Sequence, residues 1–196
     1  MEEWWNECHE TPGSLYISNY GGRSLWKAMN IRRRVRWRRK VLEIGVGNGR
    51  NIRRLRWRGC KVYALDITPT AFEKVKGLTK ETWLAPENLP DSFFDLAISH
   101  LVTQHIDNAT LEKQIKNVLR SLKPSGLFAM QFADRIADTP YIETPEYQQG
   151  GGVCRSPEMI KQIVGRGGGK ITWLSAPVEF PDQGSRWFYI HIVTDT

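Results

Sequence analysis

The sequence predicts an α/β fold: a largely parallel sheet with helices on both faces and one antiparallel strand at its end. Three observations carry this. Apolar runs of strand length alternate five times with helix-patterned segments, as in successive βα units. The runs are largely apolar throughout rather than alternating, as strands covered on both faces must be. Only EFPDQGS, 179–185, separates the last two runs. A parallel crossover needs about a dozen residues or more, so these two strands must form a hairpin.

The elements follow in order. Residues 2–30 are rich in Trp and Tyr and are expected to carry one or two short helices, SLWKAM (24–29) among them. KVLEIGV (40–46) is the first strand. Gly49 to Arg58 reads as a helix with Ile52 and Leu55 inward and arginines outward. CKVYALDI (60–67) is the second strand, and TPTAFEKVKG (68–77) a helix with Pro69 in its first turn and Gly77 as its stop. ETWLA (81–85) and SFFDLAISHLV (92–102) hold the third and fourth strands. NATLEKQIKNVLRSLKPSG (108–126) places Leu111, Ile115, Val118, Leu119 and Leu122 on one helical face. Asp107 or Asn108 caps it, and Pro124 with Gly126 ends it. GLFAMQFAD (126–134) is the fifth strand, followed by a long loop over 135–155. SPEMIKQIVGRGG (156–168) opens with Ser156 as N-cap and Pro157 at the first helical position. KITWLSAPV and RWFYIHIV close the sheet.

A chain of 196 residues suits one domain. We read 1–196 as that domain, with 1–39 as an N-terminal helical cap and 135–155 as the loop that builds a substrate pocket. No apolar run is long enough for a membrane span. The start, MEEWWNECHE, is acidic and polar where a signal peptide would be basic and then apolar, so a cytoplasmic location is expected. Cys8, Cys60 and Cys154 are far apart with no CxxC, which argues against a zinc site and a disulfide framework. The net charge of +7 is unevenly placed. Residues 23–61 hold fifteen Lys/Arg against the single acid Glu43, a balance of +14, while the remainder holds thirteen against twenty, a balance of −7. The densest part, IRRRVRWRRK (31–40), suits a solvated surface, or a docking face for nucleic acid, anionic lipid or an acidic substrate.

The chemistry centres on VLEIGVGNGRN, 41–51. A glycine turn after a strand lets backbone approach a nucleotide. The spacing is G-x-G-x-G with Arg50 where a dinucleotide fingerprint carries its third glycine, so a pyrophosphate ligand fits poorly. No GK[ST] follows, which excludes a P-loop. The alternative is S-adenosylmethionine (SAM), a phosphate-free nucleoside with a sulfonium, an amino group, a carboxylate and a ribose diol. Glu43 would help hold the turn and the amino-acid end, and the helix start near Gly49 would face the carboxylate. Asp66, ending the second strand twenty-one residues after Gly45, is placed to accept the ribose hydroxyls, a device that NAD sites share.

VLEIGVGNGRN, VYALDITP, ENLPDSFFDLAISHLVTQHI and LKPSGLFAMQFAD together resemble the class I SAM-dependent methyltransferases, close to the type 11 group. The resemblance runs through about residues 40–134 and extends to the last helix and hairpin. It implies a Rossmann-like seven-stranded sheet in the order 3-2-1-4-5-7-6 with strand 7 antiparallel, SAM as cofactor and S-adenosylhomocysteine as product. It implies cofactor contacts from Glu43, Gly45, Gly47, Gly49 and Asp66, with Ile67 packed on the adenine and Ser99 and His100 facing the methionine part. The third motif departs from the usual D-A-E-N-L-P: it reads Ala85, Pro86, Glu87, Asn88, Leu89, Pro90. The adenine-binding aspartate is absent and Pro86 lacks an N–H. Glu87 is expected to substitute, with Asn88 and Leu89 beside it.

Methyl transfer from a sulfonium needs mainly position, and a base only where the nucleophile must lose a proton. His105 is the first candidate base and His100 the second. His9, Tyr16 and Tyr20 are expected to line the site from the N-terminal segment, and Asp134 to contact substrate. His191, in the last strand, reads as structural. SHLV stands where base-amino methyltransferases carry an N/D-P-P-Y-type motif, which disfavours that activity. Tyr141 and Tyr147 in the long loop suit a small acceptor with an apolar or ring portion. The leading expectation is methylation of an oxygen or nitrogen of a small molecule. An RNA or protein methyltransferase docking through 31–40, and a non-catalytic SAM-fold partner protein, are the alternatives.

Overall fold

The computed structural model describes residues 2–11, 23–137 and 140–195. Five strands run parallel: β1 (Lys40–Ile44), β2 (Lys61–Asp66), β3 (Thr82–Leu84), β4 (Phe94–Ser99) and β5 (Leu122–Arg135). β6 (Gly169–Leu174), β7 (Val178–Phe180) and β8 (Ser185–Thr194) complete one sheet in the order β3-β2-β1-β4-β5-β8-β6, with β7 also paired to β8. β8 is antiparallel to β5, β6 and β7. This is the expected Rossmann-like order, with one refinement. The strand expected over 170–178 is broken into β6 and β7. The break falls where Pro177 offers no N–H, and there the Ser175 hydroxyl accepts from the Tyr189 N–H at 3.0 Å. The seven-residue connection is a hairpin, turned by a short 3₁₀ segment Pro181–Gln183 and by Gly184 at φ +60°.

The helices are α1 (Glu2–Glu10), α2 (Arg23–Ala28), α3 (Arg50–Trp57), α4 (Pro69–Glu73), α5 (Asn108–Ser121), α6 (Pro145–Gln149) and α7 (Pro157–Arg166). Alternate strand residues face opposite layers. Leu42, Ile44, Leu65, Phe128 and Met130 pack with α5 and α7, while Val41, Val62, Ala64, Ile98 and Ala129 pack with Ile52 and Leu55 of α3 and with Leu25 and Trp26 of α2. α5 begins at its cap, the Asp107 carboxylate accepting from the Thr110 N–H at 2.6 Å. It ends five residues earlier than expected. Leu122 is already extended (ψ 144°) and pairs with Phe94, ahead of the chain's approach to Pro124, which disfavours helix in the residue before it. The helix expected over 68–77 closes at Glu73 and continues as turns to Gly77, at φ +72°. The long loop contains α6.

One ion cluster fixes the amino-terminal end of the sheet. Asp95 of β4 accepts from Arg39 at 3.0 Å, from Lys123 at 2.8 Å and from the Lys40 N–H at 2.8 Å. Burial alone would raise its pKa, but Lys123, the Lys40 N–H and Arg39 hold it below the usual carboxylate value. A depressed carboxyl pKa stabilises the fold above the unfolded-state pKa, and that stability is lost as pH falls through the folded value. Asp95→Asn is therefore expected to cost about 1–2 kcal/mol at neutral pH. In urea unfolding the gap from wild type should shrink below about pH 4, and a gap independent of pH would remove the charge as its cause.

Candidate active site

The cavity opens at the carboxyl ends of β1, β2 and β4, where the strand order reverses. Its walls include Glu43, Gly45, Val46, Gly47, Asn51, Asp66, Ile67, Ala85, His100, Val102 and His105, with Trp5 and His9 of α1 across it. The glycine turn follows from backbone geometry. Gly45, Gly47 and Gly49 have φ of +71°, +50° and +70°, a region L side chains rarely adopt. Space adds a second reason: a Cβ on Gly45 would stand 2.3 Å from Val102 Cγ2, and one on Gly49 2.5 Å from Val75 Cγ1.

Two carboxylates sit where a phosphate site would place cations. Glu43 is buried, with one oxygen accepting from Asn51 Nδ2 at 2.8 Å and Oε2 without a partner among the described residues. Burial, opposed by the Asn51 bond and reinforced by the Asp66 charge, raises its pKa to about 8. Asp66 is buried too and its pKa is raised by desolvation against several hydrogen bonds. Its Oδ2 accepts from the Val46 N–H at 2.8 Å, and its Oδ1 from the Thr68 N–H at 3.1 Å and hydroxyl at 3.2 Å. Buried acceptors on Glu43 and Asn51 without a partner among the described residues, beside a turn that favours glycine, fit a ligand carrying an ammonium and a sulfonium.

Three of the four histidines converge on this cavity. His100, at the end of β4, stacks on Tyr189 with centroids 6.2 Å apart, and burial lowers its pKa to about 4. His9 is lowered to about 4 by burial and then by Lys74, and its Nδ1 has no hydrogen-bond partner among the described residues. His105 ends a 3₁₀ turn, Thr103–His105. Its Nδ1 lies 2.8 Å from the Gln148 carbonyl oxygen. A carbonyl only accepts, so Nδ1 carries the proton and Nε2 holds the free lone pair. Desolvation lowers its pKa, against the bonds to the 148–149 backbone. Trp5 meets its ring edge-on at 4.8 Å.

The long loop clamps this turn. Arg155 is 1% exposed and donates to the Thr103 carbonyl at 2.7 Å, the Ile106 carbonyl at 2.6 Å and Asn108 Oδ1 at 2.7 Å. Glu143 accepts from the Asn108 N–H at 2.8 Å and from the Tyr141 hydroxyl. A Cβ on Gly151 would stand 2.7 Å from His105 Cε1, so a side chain there would displace the ring.

Other expected residues lie elsewhere. Gly49, Glu87, Asn88, Leu89 and Ser99 do not line the cavity. Glu87 turns back to accept from the Leu84 N–H at 3.1 Å, Asn88 is exposed, and Leu89 is 2% exposed in the core. Ser99 is fully buried, its hydroxyl without a partner among the described residues. Asp134 is paired with Arg186 at 2.8 Å and lines a second, polar cleft with Tyr141. His191 Nε2 donates to the Met29 carbonyl at 2.7 Å, away from the cavity. Tyr16 and Tyr20 lie outside the described residues. Trp5, Asn51 and Arg155 escaped the sequence reading. Asn51 had one usable signal, a polar residue on the inward side of the helix beside Ile52.

Arg155→Ala would leave the Thr103 and Ile106 carbonyls without their donor. It is expected to destabilise the protein by roughly 3 kcal/mol or more, with partial recovery in Arg155→Lys, read by thermal unfolding of both variants.

Residues 42–130 match the family model described as a methyltransferase domain. Among solved structures, the chain is similar to the CcbJ methyltransferase of Streptomyces caelestis, at 15% identity over 91% of this chain and 94% of that one, with a TM-score of 0.67. It is similar to phosphoethanolamine N-methyltransferase 2 of Haemonchus contortus in complex with phosphomonomethylethanolamine and S-adenosylhomocysteine, at 17% identity over 100% of this chain and 60% of that one, with a TM-score of 0.75. The third is 1,6-didemethyltoxoflavin-N1-methyltransferase of Burkholderia thailandensis, at 16% identity over 89% and 83%, with a TM-score of 0.63, bound to 1,6-didemethyltoxoflavin and S-adenosylhomocysteine. At these identities the structural likeness is one of fold. Among the described residues, no group of three or more His, Cys, Asp or Glu is placed to hold a metal, and no helix is long and apolar enough to cross a membrane. The glycine turn, the strand order and the matched segment 42–130 thus agree: this part of the chain is similar to the methyltransferase domain family, and the chain has the fold of these methyltransferases.

Proposed function

We propose that this enzyme methylates an oxygen or nitrogen of a small molecule, with SAM on the glycine turn and the acceptor on the histidine side of the same cavity. The observation that carries the reading is the convergence of His9, His100 and His105, each with a lowered pKa, on the cavity that holds Glu43 and Asp66. When bound, SAM supplies a methyl already activated on a sulfonium.

The chain's own residues supply position. Glu43 Oε2 accepts from the α-ammonium, while Asn51 fixes the other Glu43 oxygen. The start of α3 and Arg50 face the carboxylate. Asp66 takes a ribose hydroxyl, but most of its acceptor capacity is used within the chain. A second hydroxyl engages only if the Thr68 side chain turns away. Ile67 and Ala85 pack the adenine. With Glu87 bonded to its own strand, packing carries most of the adenine's binding, and cofactor affinity is modest. Trp5, His100 and His105 wall the acceptor side, which suits a ring or apolar portion. His105 Nε2 takes the acceptor proton. The Burkholderia thailandensis enzyme of the same fold, with 1,6-didemethyltoxoflavin bound, supports a small acceptor.

Mass spectrometry after incubation with labelled SAM and acceptor pools tests the reading. Label is expected in a small molecule, and label confined to RNA or protein would overturn it. His105→Ala should lower kcat by about 10²–10⁴-fold with SAM affinity unchanged. Because the pKa of His105 is lowered, the acid limb of the wild-type kcat/KM profile for the acceptor, measured at saturating SAM so that Glu43 is already paired, should fall below about pH 6.5. A limb that survives the substitution would reject His105 as the base.

Glu43 gives an independent test. With a pKa of about 8 it is mostly protonated at neutral pH, and it must ionise to pair with an ammonium. SAM binding at neutral pH is therefore expected to release close to one proton. Calorimetry in buffers of different ionisation enthalpy reads that release, which Glu43→Gln should abolish. Zero release by wild type would remove Glu43 as the ammonium's partner.

A further inference from the structure

The amino-terminal end of the sheet carries a surface that the methyl-transfer chemistry does not use. Trp37 and Trp57 are 69% and 76% exposed, the two most exposed large apolar side chains among the described residues, and both lie in the +14 segment. Neither belongs to a core cluster. They share one neighbourhood, because the 36–39 turn and the 57–61 turn are bonded together. The Arg38 N–H donates to the Gly59 carbonyl at 2.8 Å, the Lys61 N–H to the Arg39 carbonyl at 2.8 Å, and Cys60 Sγ to the Arg36 carbonyl at 3.4 Å.

Trp37 is exposed yet held. A Cβ on Gly59, at φ +76°, would stand 2.2 Å from Trp37 Cδ1, so the ring rests on bare backbone. The Arg38 guanidinium sits 4.3 Å from the ring centroid. Arg32, Arg33, Arg36, Arg38 and Arg58 are exposed, and none forms a salt bridge with a described residue.

We propose that this surface binds single-stranded nucleic acid, with bases stacked on Trp37 and Trp57 and phosphates held by the surrounding arginines. Stacking platforms among cations are how sequence-tolerant single-strand surfaces are built. The charge is carried by guanidinium far more than by ammonium, which favours bidentate phosphate contact. An anionic membrane is the weaker fit: interfacial anchoring needs a continuous apolar face, and here the exposed apolar surface is two rings set among arginines. The surface lies at the far end of β1 from the cavity, roughly 15 Å away along the strand. It is a docking site and not the acceptor pocket.

Fluorescence anisotropy with short labelled RNA and DNA single strands, titrated against the full chain at several salt concentrations, tests this. A slope of about −3.5 in log K against log salt is expected for roughly five neutralised phosphates. Trp37→Ala and Trp57→Ala should each weaken binding about ten-fold. Arg33→Ala with Arg36→Ala should reduce the slope by about 1.4. Lys113→Ala with Lys116→Ala removes the same charge from the exposed side of α5 and should leave both affinity and slope unchanged. Circular dichroism and SAM binding check that each variant is folded. The proposal is overturned by absent binding at low salt, by tryptophan variants that bind like wild type, by equal weakening in the lysine control, or by retention on phosphatidylserine vesicles without oligonucleotide affinity.

Discussion

The cavity depends first on one buried contact, the Val46 N–H donating to Asp66 Oδ2 at 2.8 Å. A chain leaving β1 through three left-handed glycines has lost its ladder partners, and its N–H groups must be met elsewhere. Gly45 finds the Leu65 carbonyl at 2.9 Å and Val46 finds Asp66, so the end of β2 ties down the turn that ends β1. Burying Asp66 is costly, and the donors from Val46 and Thr68 offset that cost. With the turn fixed, α3 starts at Arg50. Asn51 then meets Glu43, which would otherwise be a buried carboxyl with neither oxygen satisfied.

The two halves of the cavity are built by different means. The half around the glycine turn is made of strand ends and backbone. The half that carries the histidines is assembled from distant segments. α1 is held to α4 by Thr70 on Asn6 at 2.7 Å and by Lys74 on the His9 carbonyl at 2.6 Å. The loop carrying α6 is held to the 103–106 turn by Arg155 and by the His105–Gln148 contact. A half made by side chains reaching to carbonyls can vary through its loop residues without disturbing the glycine turn.

That division also decides what was legible in the sequence. The βα alternation, the glycine turn and the closing hairpin are local or periodic signals, and they led to the sheet order. Where local rules competed, the outcome turned on single residues. Leu122 left its helical face for the sheet two residues before Pro124, and Pro177 split a strand that reads as continuous. Glu87 was expected to reach the adenine, but the Leu84 N–H lies three residues away and takes its carboxylate first. Arg155 offers no local signal. An arginine after a glycine cluster reads as solvated, and only the fold brings the Thr103 and Ile106 carbonyls to it. The gathering of His9, His100 and His105 likewise depends on where α1 and the 3₁₀ turn come to rest.

The charge distribution along β1 follows the same logic. Glu43 near its carboxyl end, with Asp66 at the end of the neighbouring β2, is buried and lines the cavity. Its amino end holds Lys40 beside Arg39 and the exposed arginines. Were those cations at the cavity, they would oppose an ammonium and a sulfonium together. The length of the strand places them roughly 15 Å off, beyond the Debye length of about 8 Å at physiological salt. Exposed cations at that distance are largely screened, whereas Glu43 and Asp66, inside the protein, are not. A segment of balance +14 therefore keeps its one acid, Glu43, at the cavity with Arg50 alone of its bases in the lining, while the exposed arginines at the amino end of β1 lie in water.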